Sequence, residues 1–73
     1  MTLKEKFIAA LTKRGETKVK ETFRYVVFTR KEGGNYYIGR NGALRRGFNI
    51  GASIPCSEAL KENLIRSLRY ESS

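Results

Sequence analysis

The sequence predicts a small α+β domain in which two helices pack on one face of a three-stranded antiparallel sheet. Both ends of the chain carry amphipathic helical patterns, whereas the middle is rich in β-branched and aromatic residues and is interrupted by turn-forming glycines. Helices that each have one apolar stripe bury it most simply against a shared sheet, in the order α-β-β-β-α. The length of 73 residues allows one domain, residues 1–73, whose second sheet face would remain open.

The first helix is predicted from about Leu3 to Arg14. Thr2 and Glu5 have the spacing of a capping box. Gly15 stands where a left-handed C-cap belongs, directly after two basic residues. Apolar residues recur at helical spacing on one side of this segment: Leu3, Phe7, Ile8 and Leu11.

Residues 16–31 are predicted to form one long strand, because Val, Thr, Phe and Tyr dominate and neither Gly nor Pro interrupts them. Strand alternation divides the side chains between two faces. The face expected to meet the helices carries Val19, Phe23, Tyr25 and Val27. The opposite face mixes cations with apolar residues: Lys18, Lys20, Arg24, Val26, Phe28 and Arg30.

Two turn signals predict the second and third strands. Gly33-Gly34 suits a tight hairpin, and an even-numbered loop there would pair Arg30 with Tyr37. Residues 36–40 form the second strand in this interpretation, and Asn41-Gly42 is the strongest short hairpin signal in the chain. A third antiparallel strand is therefore expected to start near residue 43.

The register of that third strand contains a conflict. Apolar residues of residues 44–54 share one parity: Leu44, Phe48, Ile50, Ala52 and Ile54. A two-residue turn at Asn41-Gly42 would nevertheless place Leu44 and Phe48 on the face away from the core. An odd-numbered loop, or a bulge at Gly39 or Gly47, would remove the conflict, because a shift of one residue exchanges the two faces.

The last helix is predicted to begin near Pro55 and to run to about Tyr70. Proline suits the first turn of a helix, where its missing N–H costs no hydrogen bond. Apolar residues again recur at helical spacing: Ala59, Leu60, Leu64, Ile65 and Leu68.

Positive charge is the strongest global property of the chain. Fifteen Lys and Arg face seven acidic residues, which gives a formal net charge of +8 and a sequence pI of about 10.1. A small domain with a pI above about 9 has the usual electrostatic character of a nucleic-acid-binding protein. The alternative is a basic surface that serves solubility alone.

The sequence offers little for catalysis, and we predict that the protein is not an enzyme. It contains no histidine and no aspartate, so the commonest acid–base group is missing. Cys56 is the only cysteine, which leaves no metal-ligand pattern and favours a buried apolar role for this thiol. The glycines near Arg40 match neither a P-loop nor a dinucleotide fingerprint, so no cofactor is expected.

The sequence therefore predicts a nucleic-acid-binding module that uses its open sheet face and an arginine-rich hairpin loop. Arginine and lysine would neutralise phosphates, and aromatic residues among them would stack on bases. DNA is the expected ligand and RNA the alternative. The candidate contacts are Lys18, Lys20, Arg24, Phe28, Arg30, Tyr37, Arg40, Arg45 and Arg46.

Other partners stay open at this stage. A protein-interaction module, such as an inhibitor or accessory factor of phage or mobile-element type, would use the same positive surface to bind an acidic protein. A homodimer would supply stability that a chain of this length lacks, and it is compatible with either function. No run of apolar residues reaches the roughly 20 that a membrane span needs, so a cytoplasmic protein without membrane contact is expected.

Overall fold

The sheet has five antiparallel strands rather than the three that the sequence predicted. The computed structural model describes residues 1–69. The strands lie in the sheet in the order in which they occur along the chain. The elements are α1 (Leu3–Lys13), β1 (Thr17–Glu21), β2 (Tyr25–Thr29), β3 (Asn35–Gly39), β4 (Leu44–Gly47), a 3₁₀ helix (Ile50–Ala52), β5 (Ile54–Pro55) and α2 (Glu58–Arg69). The α+β class is as predicted, and the strand count is corrected.

Helix α1 forms as its sequence predicts. The Thr2 hydroxyl accepts a hydrogen bond from the Glu5 backbone N–H at 3.2 Å, and the Glu5 carboxylate accepts one from the Thr2 N–H at 2.8 Å. Gly15 ends the helix with a φ of +88°, and its N–H donates to the Thr12 carbonyl. The capping box and the left-handed glycine are both confirmed.

The predicted strand over residues 16–31 is in fact a hairpin of β1 and β2. The chain reverses at residues 22–24, where the Thr22 hydroxyl accepts from the backbone N–H groups of Arg24 and Tyr25 and donates to the Tyr25 carbonyl. Threonine therefore makes the turn that glycine or proline usually signals. A bulge between Lys18 and Lys20 shifts the register of β1 as well.

The face assignment of β2 is reversed as a consequence. Val26 and Phe28 pack toward the helices, with relative exposures of 0% and 1%. The residues that the sequence placed in the core lie elsewhere: Val19 and Phe23 are exposed, and Tyr25 and Val27 lie on the opposite face of the sheet, which we call the far face.

Both remaining hairpin loops are odd-numbered, which resolves the predicted register conflict. Residues 30–34 form a five-residue loop, so Phe28 pairs with Tyr36 rather than Arg30 with Tyr37. Residues 40–42 form a three-residue loop, closed by a hydrogen bond from the Gly39 N–H to the Ala43 carbonyl at 2.8 Å. Leu44 thereby returns to the face that the helices cover, where it is 2% exposed.

The chain after β4 does not continue as the predicted strand. Residues 48–53 turn back across the far face and include the 3₁₀ helix. Asn49 caps this helix, since its side-chain oxygen accepts a hydrogen bond from the Ala52 N–H at 2.8 Å. The apolar parity of residues 44–54 is thus misleading, since Phe48, Ile50 and Ile54 are all exposed. Ile54–Pro55 forms a short edge strand beside β4, where a helix start was predicted.

Helix α2 begins at Glu58, and the Ser57 hydroxyl accepts a hydrogen bond from the Leu60 N–H at 3.2 Å. It extends to Arg69, and the predicted end at Tyr70 lies outside the described residues. The Lys13 ammonium group of α1 donates to the Ser67 carbonyl of α2, which joins the two helices. Both helices and one sheet face form the core: Phe7, Ala10, Leu11, Val26, Phe28, Tyr36, Ile38, Leu44, Cys56 and Leu64.

Candidate functional site

The far face of the sheet is largely covered, so it differs from the open binding face that the sequence predicted. The Arg45 guanidinium group donates to the Ser53 hydroxyl at 2.8 Å and to the Ser53 carbonyl at 2.6 Å. Asn35 donates to the Phe48 carbonyl at 3.4 Å. These contacts hold residues 48–53 against the sheet, with Ser53 close to Gly47.

Two predicted stacking residues are consequently buried, and they lie on opposite faces. Phe28 belongs to the core between sheet and helices, at 1% exposure. Tyr37 lies on the far face at 5% exposure, and its hydroxyl accepts a hydrogen bond from Asn35 at 3.1 Å. Their predicted common face is therefore wrong, because the β2–β3 loop has five residues instead of an even number.

Arg24 and Arg40 lie in neighbouring loops at one end of the sheet. Tyr25 pairs with Gly39, so the loop before β2 and the loop after β3 are neighbours. The Arg40 guanidinium carbon lies 4.5 Å from the centre of the Phe23 ring, which is a cation–π contact. Phe23 remains 80% exposed although Arg40 stacks on its ring.

A surface depression of about 590 Å³ adjoins this pair, with Thr22, Phe23, Arg24, Tyr25 and Ile50 around it. We call the depression together with Arg40 the basic-aromatic surface. Ile50 reaches it from the segment that crosses the far face. The Tyr25 ring packs edge-on against the Tyr37 ring, with centres 5.8 Å apart and an interplanar angle of 80°. Buried Tyr37 thus supports Tyr25 from below.

Arg30 and Arg46 line a smaller pocket of about 200 Å³ at the opposite end of the sheet, beside Gly33 and Gly34. The Arg30 guanidinium carbon lies 5.1 Å from the centre of the Tyr36 ring. The same group is 3.4 Å from the carboxylate of the exposed Glu32. Because the Glu32 side chain is exposed, solvent screens this ion pair and its contribution to stability is small.

The remaining predicted contacts lie apart from both clusters. Lys18 and Lys20 belong to the exposed edge strand β1, where Lys18 forms an ion pair with Glu21 at 3.2 Å. Lysines and a bulge are also common devices that keep an edge strand from pairing with another chain. Arg45 is anchored to Ser53, so its guanidinium group has a structural role.

The sequence did not predict three members of the basic-aromatic surface, which are Phe23, Tyr25 and Ile50. Strand alternation assigned Phe23 and Tyr25 to the core face, and Ile50 shared the apolar parity of residues 44–54, whose face stayed open. The useful signal was Thr22, since a hydroxyl one residue before an apolar side chain can form a turn that projects that side chain into solvent. Ile50 carried no such signal, because its position depends on the path of residues 48–53.

Two other features of the described chain lie outside both arginine clusters. A groove of about 350 Å³ between the helices has an apolar floor that includes Phe7 and Ile65 and a rim of mixed charge. Cys56 is buried, and this burial raises the pKa of its thiol. Within residues 1–69, no three metal-binding side chains lie close enough to hold an ion.

Comparison of the chain with protein-family models, with curated proteins and with solved structures found no match. Neither α1 nor α2, the helices of residues 1–69, has the length and apolar character that crossing a membrane would require.

Proposed function

We propose that the protein binds nucleic acid, and that the basic-aromatic surface is its principal contact. The observation that carries this proposal is that Arg24 and Arg40 lie in neighbouring loops, with Arg40 over the exposed ring of Phe23. Neither loop, residues 22–24 or residues 40–42, contains an acidic residue. Two cations and an exposed aromatic ring suit a phosphate backbone and its bases.

The overall charge supports the same proposal. A formal charge of +8 on 73 residues raises the local concentration of any polyanion around the protein. Binding of each phosphate by a lysine or arginine releases condensed counterions, which favours association at low salt. Arg30 and Arg46 at the opposite end of the sheet would provide a second, weaker contact with the backbone.

This proposal moves the binding site from the open sheet face that the sequence predicted to the loops at one end of the sheet. Phe28 and Tyr37 have no accessible ring for a base, and Arg45 is occupied by Ser53. Arg24 and Arg40, by contrast, are exposed residues of loops. DNA remains the proposed ligand, with RNA as the alternative that the same chemistry would accept.

Fluorescence anisotropy tests the proposal with labelled DNA and RNA oligonucleotides over a salt range of about 50 to 200 mM. The variant Arg24→Gln/Arg40→Gln should bind more weakly than wild type, and its slope of log K against log salt should fall by about 1.4–1.8, the value for two lost phosphate contacts. The matched control Arg14→Gln/Arg66→Gln removes the same charge from the helices and should retain most of the slope.

Absence of binding to every oligonucleotide at low salt would overturn the proposal. Equal losses in the two double variants would also overturn the assignment to the basic-aromatic surface, since they would mean that net charge alone determines affinity. The expectation of an acidic protein partner would then be the one to pursue, by co-purification and heparin retention.

A further inference from the structure

We propose that the basic-aromatic surface binds an unpaired nucleobase, stacked on the free face of Phe23, and that the preferred ligand is therefore single-stranded. This inference rests on the proposed function and specifies its ligand. It begins with the position of Phe23, whose ring is 80% exposed at the tip of a three-residue loop. The ring is outside the hydrophobic core, so packing within the domain does not explain it.

Arg40 lies on one face of the Phe23 ring and leaves the other face for a flat ligand. Its guanidinium group covers one ring face at 4.5 Å, and the high exposure of Phe23 shows that the other face is uncovered. A base that stacks there would complete a sandwich of guanidinium, ring and base. The N–H groups of Arg40 would remain free to contact the adjoining phosphate, because stacking uses only the plane of the guanidinium group.

The depression beside Phe23 suits the shape and polarity of a base. Tyr25 and Ile50 offer apolar contact, and Arg24 offers N–H donors at the edge. None of the described residues around the depression carries a carboxylate, so nothing there repels a phosphate. Tyr25 is held by its edge-on contact with Tyr37, which is itself fixed by Asn35, so the floor is ordered before a ligand arrives.

A duplex would use this surface poorly. Its bases are already stacked on one another, so Phe23 would find no free base face and only phosphate contacts would remain. A two-stranded ribbon can enter the major groove with an outward-facing sheet, but residues 48–53 cover the far face here. Discrimination in favour of unpaired strands follows from these two restrictions together.

The test compares an oligothymidine with a hairpin duplex of equal nucleotide number, at one salt concentration, for wild type and for Phe23→Leu. Base–aromatic stacking predicts that Phe23→Leu weakens binding of the single strand by about 5- to 150-fold for one stacked base. The affinity for the duplex should stay unchanged. Val19→Ala is the control, since Val19 is 56% exposed and lies on the edge strand β1, outside the basic-aromatic surface.

Quenching of 2-aminopurine placed in the single strand supplies a readout of stacking that loss of charge would not affect. Wild type should quench the base, Phe23→Leu should not, and Phe23→Trp should restore quenching. Equal affinity of wild type for single strand and duplex would overturn this inference and leave the proposed function standing. An unchanged affinity of Phe23→Leu for the single strand would do the same. Absence of binding to both ligands at low salt would overturn the proposed function itself.

Discussion

Gly42 is a single residue that determines both a loop and a contact between layers. Its φ of +89° allows residues 40–42 to form a three-residue loop, in which the Gly42 N–H donates to the Gly39 carbonyl at 3.0 Å. A Cβ at this position would lie 2.8–2.9 Å from side-chain atoms of Leu3. The absence of a side chain thus lets the first turn of α1 approach the loop that carries Arg40.

The substitution Gly42→Ala is expected to destabilise the protein on two counts. The left-handed backbone costs about 1–2 kcal/mol for a residue with a Cβ, and the Leu3 side chain must also shift to make room. Gly33→Ala is the control, because Gly33 has a φ of +99° but a Cβ added there would meet no atom within 4 Å. Urea denaturation should show a larger loss in the free energy of unfolding for Gly42→Ala than for Gly33→Ala. Equal losses would exclude a role for the Leu3 contact.

Glu5 is a residue whose ionisation should make the stability of the fold depend on acid pH. The Thr2 backbone N–H donates to its carboxylate, and this hydrogen bond lowers the pKa of Glu5 below its ordinary value. A carboxyl group with a lowered folded pKa stabilises the fold above its unfolded pKa, about 4.3. That contribution is lost as the pH falls through the lower folded value.

Thermal unfolding measured between neutral and acid pH should therefore separate Glu5→Gln from wild type. We expect Glu5→Gln to be less stable than wild type at neutral pH and to lose less stability on acidification, so that the two curves converge. Glu62→Gln removes an exposed carboxylate of α2 and serves as the control. A constant difference between Glu5→Gln and wild type at all pH values would contradict the assignment.

At the scale of elements, the β1–β2 hairpin depends on the hydroxyl of Thr22. This hydroxyl makes contacts of 3.1–3.3 Å with three backbone groups of the turn. The same turn presents Phe23 and Arg24 to solvent, so the stability of the hairpin and the shape of the basic-aromatic surface have one origin.

The variant Thr22→Val removes the hydroxyl at nearly constant volume and should destabilise the protein by about 1–3 kcal/mol, because backbone groups lose their partner. Thr22→Ser retains the hydroxyl and should lose less. Denaturant midpoints and the oligonucleotide affinity of both variants are the measurements. Valine and serine variants of equal stability would show that the strands alone set this turn.

The elements also show where prediction from sequence succeeded and where it failed. Helix α1 was predicted to within one residue, because its cap, stripe and terminal glycine are all local signals. The β2 faces were reversed, because a turn formed by a threonine hydroxyl has no glycine or proline to reveal it. Residues 48–53 look like a strand by alternation, yet they cross the far face because Arg45 and Asn35 bind them there.

For the whole molecule, the net charge makes stability and binding respond to salt in opposite ways. A net charge of +8 destabilises the compact state by self-repulsion, which added sodium chloride screens. We expect the Tm of the free protein to rise between low and moderate salt, where each 1 kcal/mol corresponds to about 4–8 °C for a domain of this size. Affinity for nucleic acid should fall over the same range.

Differential scanning calorimetry of the free protein measures the first effect. Arg14→Gln/Arg66→Gln, with two fewer positive charges, should show a smaller rise than wild type. A Tm that stays constant or falls with salt would indicate that the cations are already balanced within the fold.

The sequence alone determined the helix at the N-terminal end, the α+β class, the presence of tight turns and the positive charge, since each depends on neighbouring residues or on composition. Tertiary structure decided the strand count, the faces of β2 and β3 and the contact of Arg40 with Phe23. The physical reason is that loop length sets register, and one residue more or less exchanges the two faces of every following strand.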